Sequence, residues 1–261
     1  MNPHEIVNNL IKPLPQRTKE ILRRRFGLNR KKPQTLQEIG SCYGLTRERI
    51  RQIQDKALAS IKKRDIYKPI LFDLKKIFIK HKKLVLEQRL SQELKNFQAP
   101  YFLILNIDDN FLKFCDSQNF ECHWSDDSKI ADQTQKNILA LTAYLQSKKE
   151  LVSKKEVSDY VDLDYLEISK LIAQNIFGDF GLADWPEITP AGIKDKAYII
   201  LKRNKEPLHF KDIANLINKA NFPDGRIAYE PTVHNELIKD PRFVLEGRGV
   251  YFLRDAEKKR S

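Results

Sequence analysis

Cysteine is scarce in this chain. Cys42, Cys115 and Cys122 are the only three in 261 residues. A small, odd number argues against a disulfide scaffold and for a reducing compartment, so the cytoplasm is the expected location. Long apolar runs are missing as well. No stretch approaches the roughly 18 apolar residues that a membrane-spanning helix needs, and the first residues carry no signal-peptide core. A membrane partner is therefore not expected. Glycine is sparse, with nine scattered residues and no phosphate-cradling loop. The zinc-protease pattern His-Glu-x-x-His is absent, and Cys115, Cys122 and His123 lack the paired spacing of a zinc site. The acidic pairs Asp108-Asp109 and Asp126-Asp127 fall at turn positions, where carboxylates cap backbone groups. Trp124 and Trp185 read as core anchors. Together these absences leave no cofactor, metal, small-molecule substrate or catalytic centre to expect. An enzymatic role would need a centre hidden within residues 81–190.

What is present is positive charge, unevenly spread. The net charge is +12. Residues 1–65 hold 16 Lys/Arg and 6 Asp/Glu, for +10; residues 66–190 hold 16 and 19, for −3; residues 191–261 hold 15 and 10, for +5. A basic excess concentrated in one segment is the electrostatic footprint of a nucleic-acid-binding part. A lone run such as Arg30-Lys31-Lys32 can equally be a solvated loop.

Within the basic segment, Thr46-Arg47-Glu48-Arg49-Ile50-Arg51-Gln52-Ile53 reads as the start of a helix. Thr46 is the cap, and Glu48 sits where the helix dipole favours negative charge. Ile50, Ile53, Ala57 and Ile61 recur at helical spacing and make an apolar face. Glu48, Arg51, Gln52 and Asp55 fall on the opposite face, with Arg47 at its edge. Arg, Gln and Glu suit guanine, adenine and cytosine edges respectively. Upstream, Thr35-Leu36-Gln37-Glu38 is a capping box that opens a short helix with Leu36, Ile39 and Tyr43 inward. Gly44 supplies a tight turn and Leu45 packs before the next cap, which makes a helix-turn-helix. In that motif the second helix enters the major groove. A further helix opens at Leu14-Pro15-Gln16-Arg17 and stops at Gly27. Ile6, Val7, Leu10 and Ile11 make a short amphipathic helix expected to pack on it.

Residues 14–64 resemble region 4 of the bacterial sigma-70 family. Leu14-Pro15, Arg23-Arg24-Arg25-Phe26-Gly27-Leu28, Thr35-Leu36-Gln37-Glu38-Ile39-Gly40, the stretch from Thr46 to Ile53 and Lys56-Ala57-Leu58 carry the resemblance. It implies double-stranded promoter DNA as partner, with recognition of a −35 element. By position, Arg47, Glu48, Arg51 and Gln52 would read bases. Arg17, Arg25, Thr35, Leu36 and Lys56 would face the DNA backbone. A region of this type also usually docks on the flap of the RNA polymerase β subunit. No aromatic-rich, basic helix of the kind that melts the −10 element precedes Leu14. The expectation is thus an accessory sigma-like factor or regulator, with polymerase docking alone as the alternative.

The rest of the chain is expected to be helical with small hairpins. Ile66–Ile79 shows a helical stripe of Ile66, Ile70, Leu71, Leu74, Ile77 and Phe78. Leu84-Val85-Leu86 reads as a strand, Glu87–Phe97 and Tyr101–Ile107 as helices, and Phe111–Trp124 as a hairpin. A second pass runs from a helix at Ile130–Ser147 through helices at Glu156–Val161 and Tyr165–Asn175 to a wing over Ile176–Trp185. A third has helices at Lys194–Arg203 and Lys211–Lys219, one capped by Thr232, and a hairpin around Glu246-Gly247-Arg248-Gly249. That last part resembles the HARE helix-turn-helix domain, which also stands at the front of the RNA polymerase δ subunit. Lys196-Ala197-Tyr198, Pro207-Leu208-His209-Phe210, Ile213-Ala214, Val233-His234-Asn235-Glu236-Leu237, Asp240-Pro241-Arg242-Phe243 and Gly249-Val250-Tyr251 carry this resemblance. It implies a transcription-linked module that binds DNA or protein. Arg226, Lys239, Arg242 and Arg248 are the basic candidates, Arg248 as a wing contact. The expected fold is mainly α: a helix-turn-helix at 1–65, then tandem winged-helix-like domains at 66–127, 128–190 and 191–256 with small β-hairpin wings.

Overall fold

The computed structural model describes residues 2–29 and 32–254. Arg30 and Lys31, and the end of the span expected to run to 256, lie outside the described residues. Among the described residues the fold is mainly α with three small antiparallel sheets, as the sequence leads one to expect. The chain divides into two compact units, Met1–Gln135 and Lys136–Ser261.

The first unit begins with α1 (Pro3–Ile11), α2 (Gln16–Phe26), α3 (Leu36–Tyr43) and α4 (Arg47–Lys62). Asn2 caps α1, and Pro3 fixes its first turn. Then come α5 (Lys68–Lys80), β1 (Leu84–Leu86), α6 (Glu87–Leu94), α7 (Gln98–Leu105), β2 (Leu112–Phe114) and β3 (His123–Ser125). The strands pair in the order β1-β3-β2, so Trp124 on the central strand lies opposite Val85 on one side and Lys113 on the other. One hydrophobic core runs from Ile6, Leu10, Ala57 and Ile61 through Ile70, Leu74 and Ile104 to Trp124. The core therefore continues on both sides of position 65/66. Helix α1 packs mainly on α7 and on the Asp65–Tyr67 turn. That turn is a single 3₁₀ turn, which winds more tightly than an α-helix and shifts the phase of the apolar stripe. Tyr67 is buried in place of Ile66, which is 40% exposed.

Helix α8 (Ser128–Lys148) begins in the first unit and ends in the second. It is followed by α9 (Lys154–Ser158), β4 (Ile172–Gln174) and β5 (Phe180–Leu182). The helix expected over Tyr165–Asn175 does not form. Leu163–Ile168 is a 3₁₀ turn, and Ser169 Oγ then accepts the backbone N–H groups of Leu171 (3.1 Å) and Ile172 (3.2 Å). Such local side-chain bonds compete with helical ones, and the freed segment pairs with Phe180–Leu182. The hairpin thus starts at Ile172, four residues ahead of the expected wing.

The rest of the second unit is α10 (Ile193–Asn204), β6 (Leu208–His209), α11 (Phe210–Ala220), α12 (Glu230–Lys239), β7 (Phe243–Gly247) and β8 (Val250–Leu253). Its sheet order is β6-β8-β7, and Ala197, Leu201, Ile213, Ile217, Val233 and Tyr251 build its core. Thr232 does not cap α12. The helix starts two residues earlier, at Glu230, with a proline in its first turn.

Candidate nucleic-acid interface

Helices α2, α3 and α4 meet at a small core in which Ile21, Ile39 and Ile50 are fully buried, flanked by Leu36, Tyr43, Leu45 and Ile53. The turn between α3 and α4 is set by two glycines. Gly44 closes α3 at φ +62°, its N–H bonded to the Gly40 carbonyl. At Gly40 a Cβ would stand 2.5 Å from the Leu45 carbonyl oxygen, so the two helices approach there because no side chain intervenes. Thr46 Oγ1 accepts the Arg49 N–H at 3.2 Å. Thr35 and Glu38 make the full reciprocal capping box at the start of α3.

With Ile50, Ala57 and Ile61 turned inward, Arg47, Glu48, Arg51, Gln52 and Lys56 are all exposed on α4. Glu48, Arg51 and Gln52 have side-chain partners. Arg51 Nε and Nη2 donate to the two oxygens of Glu48 (2.8 and 2.7 Å), and Nη1 donates to Asp55 Oδ2 at 2.7 Å. Arg49 donates to Gln52 Oε1 at 3.1 Å. The Arg51 hydrogen bond holds the Glu48 carboxyl below its ordinary range, and Glu48, with Asp55 behind it, raises Arg51 further above its own. Asp55 was named in the sequence only as a member of this face. Its i, i+4 spacing from Arg51 is the signal that marks it as a partner.

The residues expected to face the DNA backbone differ among themselves. Arg17 is exposed, its guanidinium 5.2 Å from the Tyr43 ring centre. Thr35 is exposed at the α3 cap, while the Leu36 side chain belongs to the small core. Arg25 is half-buried. It donates to the Gln34 carbonyl (3.0 Å) and to Gln54 Oε1 (3.3 Å), and burial lowers its pKa. Its donors tie α2 to the start of α3 and to α4.

In the second unit, Arg248 is exposed between β7 and β8, and Arg226 and Lys239 are exposed as well. Arg242 is committed elsewhere, paired with Asp240 (2.7 Å) and Asp195 (2.8 Å). In the first unit, Trp124 is a core anchor, its Nε1 donating to Glu87 at 2.7 Å. His123 is fully buried and stacked on Phe114 at 4.9 Å, and burial pushes the Cys122 thiol up to about 11. Among the described residues, no three His, Cys, Asp or Glu side chains gather as a metal site requires. No helix among them is long and apolar enough to cross a membrane.

Residues 10–63 match the family model of sigma-70, region 4. Three similar proteins are RNA polymerase sigma factors. The principal sigma factor HrdD of Streptomyces viridifaciens is 48% identical over 59 residues, 23% of this chain and 18% of that protein. The sigma factor SigA of a Bacillus species is 43% identical over 58 residues, 22% of this chain and 15% of its own length. For RpoD of Neisseria gonorrhoeae the values are 41% over 59 residues, 23% and 9%. The chain thus spans less than a fifth of each relative. The likeness lies where α2, α3 and α4 stand.

Proposed function

We propose that this protein is a sigma-like, DNA-binding transcription protein that reads a −35-type promoter element with the N-terminal half of α4. The observation that carries this reading is the exposure of Arg47, Glu48, Arg51 and Gln52 on one face of the second helix of a helix-turn-helix, within the segment that matches sigma-70 region 4. In this reading Arg51 presents its unengaged N–H donors to a guanine, Gln52 addresses an adenine, and Glu48 both orients Arg51 and accepts from a cytosine. Arg17, Arg25, Thr35, Leu36 and Lys56 face the DNA backbone. The β flap of RNA polymerase is the protein partner. The segments 66–127, 128–190 and 191–256 act as tandem winged-helix-like modules. For the last of these, the order α10-β6-α11-α12-β7-β8 supports a HARE-type domain with Arg248 on its wing.

One observation favours a second reading, in which the protein docks on polymerase without reading bases. Arg51 is already flanked by two carboxylates, which lowers the positive potential of the groove-facing side. Affinity measured against salt for a duplex bearing a −35-type site and for a scrambled duplex separates the two. Each phosphate contact adds about 0.9 to the log–log slope. Base reading requires the site-bearing duplex to bind more tightly at every salt concentration. Equal affinities together with retained polymerase binding favour docking.

A further inference from the structure

The β2–β3 hairpin of the first unit carries a cysteine pair that the DNA-reading role of α4 does not use. Lys113 pairs with Trp124 and Phe114 with His123, so one further step sets Cys115 opposite Cys122. The backbone bonds of β3 tell what kind of pair this is. The Cys122 carbonyl accepts the Glu87 N–H at 2.9 Å, and the Asp126 N–H donates to the Lys83 carbonyl at 3.2 Å. Backbone groups alternate sides along a strand, so Cys122, Trp124 and Asp126 direct theirs toward β1, and His123 and Ser125 toward β2. Cys115 and Cys122 therefore form a non-hydrogen-bonded pair. In such pairs the Cα atoms lie about 4.5 Å apart, within the roughly 4.4–6.8 Å that a disulfide spans.

Both thiols stand on one face of the sheet. Side chains two residues apart along a strand share a face, which groups Cys115 with Lys113 and Cys122 with Trp124. Glu87 marks that face: its Oε2 accepts from Cys122 Sγ at 3.5 Å, from Trp124 Nε1 at 2.7 Å and from Lys113 Nζ at 2.7 Å. Cys115 lines the same hollow of about 690 Å³ as Glu87, Lys113 and Trp124, and that hollow reaches Phe26 and Gly27 at the end of α2. The two thiols differ in access, Cys115 being exposed and Cys122 half-buried. Burial first, then Glu87, raise the Cys122 thiol, and the nearby Cys115 adds to the rise. We propose that Cys115 and Cys122 are a reversible oxidation site, a dithiol that a hydroperoxide closes to an intramolecular disulfide. The exposed Cys115 reacts first, as its thiolate. Its sulfur bonds to a peroxide oxygen, the O–O bond breaks, and the hydroxide released takes up the proton that Cys115 lost. Cys115 is then a sulfenic acid. The Cys122 sulfur attacks the Cys115 sulfur, the S–S bond forms and the S–O bond breaks. The departing hydroxide receives the Cys122 proton, which Glu87 Oε2 is placed to pass on. With hydrogen peroxide, two thiols lose two electrons in all, and one peroxide becomes two waters. A dithiol reductant reverses the change by thiol–disulfide exchange.

The test uses the full chain, reduced and then freed of reductant. It is treated with hydrogen peroxide, the remaining thiols are alkylated, and the peptides are mapped by mass spectrometry. The expected product is a single chain with Cys115 joined to Cys122 and with Cys42, which lies on α3, still alkylated. A dithiol reductant should restore all three thiols. Cys122→Ser should leave Cys115 as a sulfenic acid that a 1,3-dione reagent captures, whereas Cys115→Ser should form no intramolecular disulfide. Cys42→Ser should oxidise as the wild type does. A disulfide that includes Cys42, or cross-linking between chains as the main product, would overturn the proposal. So would Cys115 and Cys122 both remaining free thiols in excess peroxide, or Cys115 passing to the sulfinic acid while Cys122 stays free.

Discussion

Arg51 carries five N–H donors, and three hydrogen bonds to Glu48 and Asp55 engage it. These are exposed pairs, each worth little in stability; what they provide is orientation. Removing Asp55 also removes a negative charge from a surface meant to approach phosphates. Asp55→Ala is therefore expected to raise affinity for all duplexes while flattening discrimination at the one base pair Arg51 addresses. Competition binding against single-base variants measures both effects, and unchanged discrimination would mean Glu48 alone orients Arg51. At this scale, the sequence made visible what depends on local spacing. The exposure of Arg47, Glu48, Arg51 and Gln52 followed from the phase of Ile50, Ala57 and Ile61. The bonds of Arg25 to Gln34 and Gln54 did not, because these partners lie 9 and 29 residues away.

Two elements show how local chemistry sets the fold. The α3–α4 turn depends on the absence of a side chain at Gly40. Gly40→Ala places a methyl group 2.5 Å from the Leu45 carbonyl, and forcing these helices apart should cost about 1–3 kcal/mol. Urea unfolding measures this, and a loss below a few tenths of a kcal/mol would mean the turn yields freely. At the start of α9, Glu156 closes a capping box with Ser153 and pairs with Lys148. Its pKa is held down to about 2 from 4.5, by the Lys148 hydrogen bond first and Ser153 next. A carboxylate with a depressed folded-state pKa contributes its full stability above the unfolded value. That contribution is lost as pH falls toward the folded one. Between pH 4.5 and 2 the wild type should thus lose melting temperature faster than Glu156→Gln, and parallel curves would refute this. The Thr35–Glu38 capping box and Gly44 were legible because their signals span four residues or fewer. The segment after Leu163 was misread as helix because its fate rests on Ser169 and on pairing with Phe180–Leu182, which periodicity does not report.

Across the whole molecule, the sigma-like segment buries only part of its apolar surface within itself. Ile6, Leu10, Ala57 and Ile61 share a core with Ile70, Leu74, Ile104 and Trp124. A fragment of residues 1–65 should therefore melt less cooperatively and at lower temperature than one of residues 1–135, by circular dichroism. Equal melting would show that the first four helices suffice. The sequence pointed to a boundary at 65/66 because charge and motif both change there. One hydrophobic core continues past that position because burial follows the apolar faces of α1 and α4. The central claim is that α4 reads base edges. Selection of bound duplexes from a pool randomised over about one helical turn, by the wild type and by Arg51→Ala, tests it most directly. The account requires a defined motif for the wild type and, for Arg51→Ala, relaxation at one position by about 1–3 kcal/mol. No motif, or a uniform loss across all sequences, would contradict it.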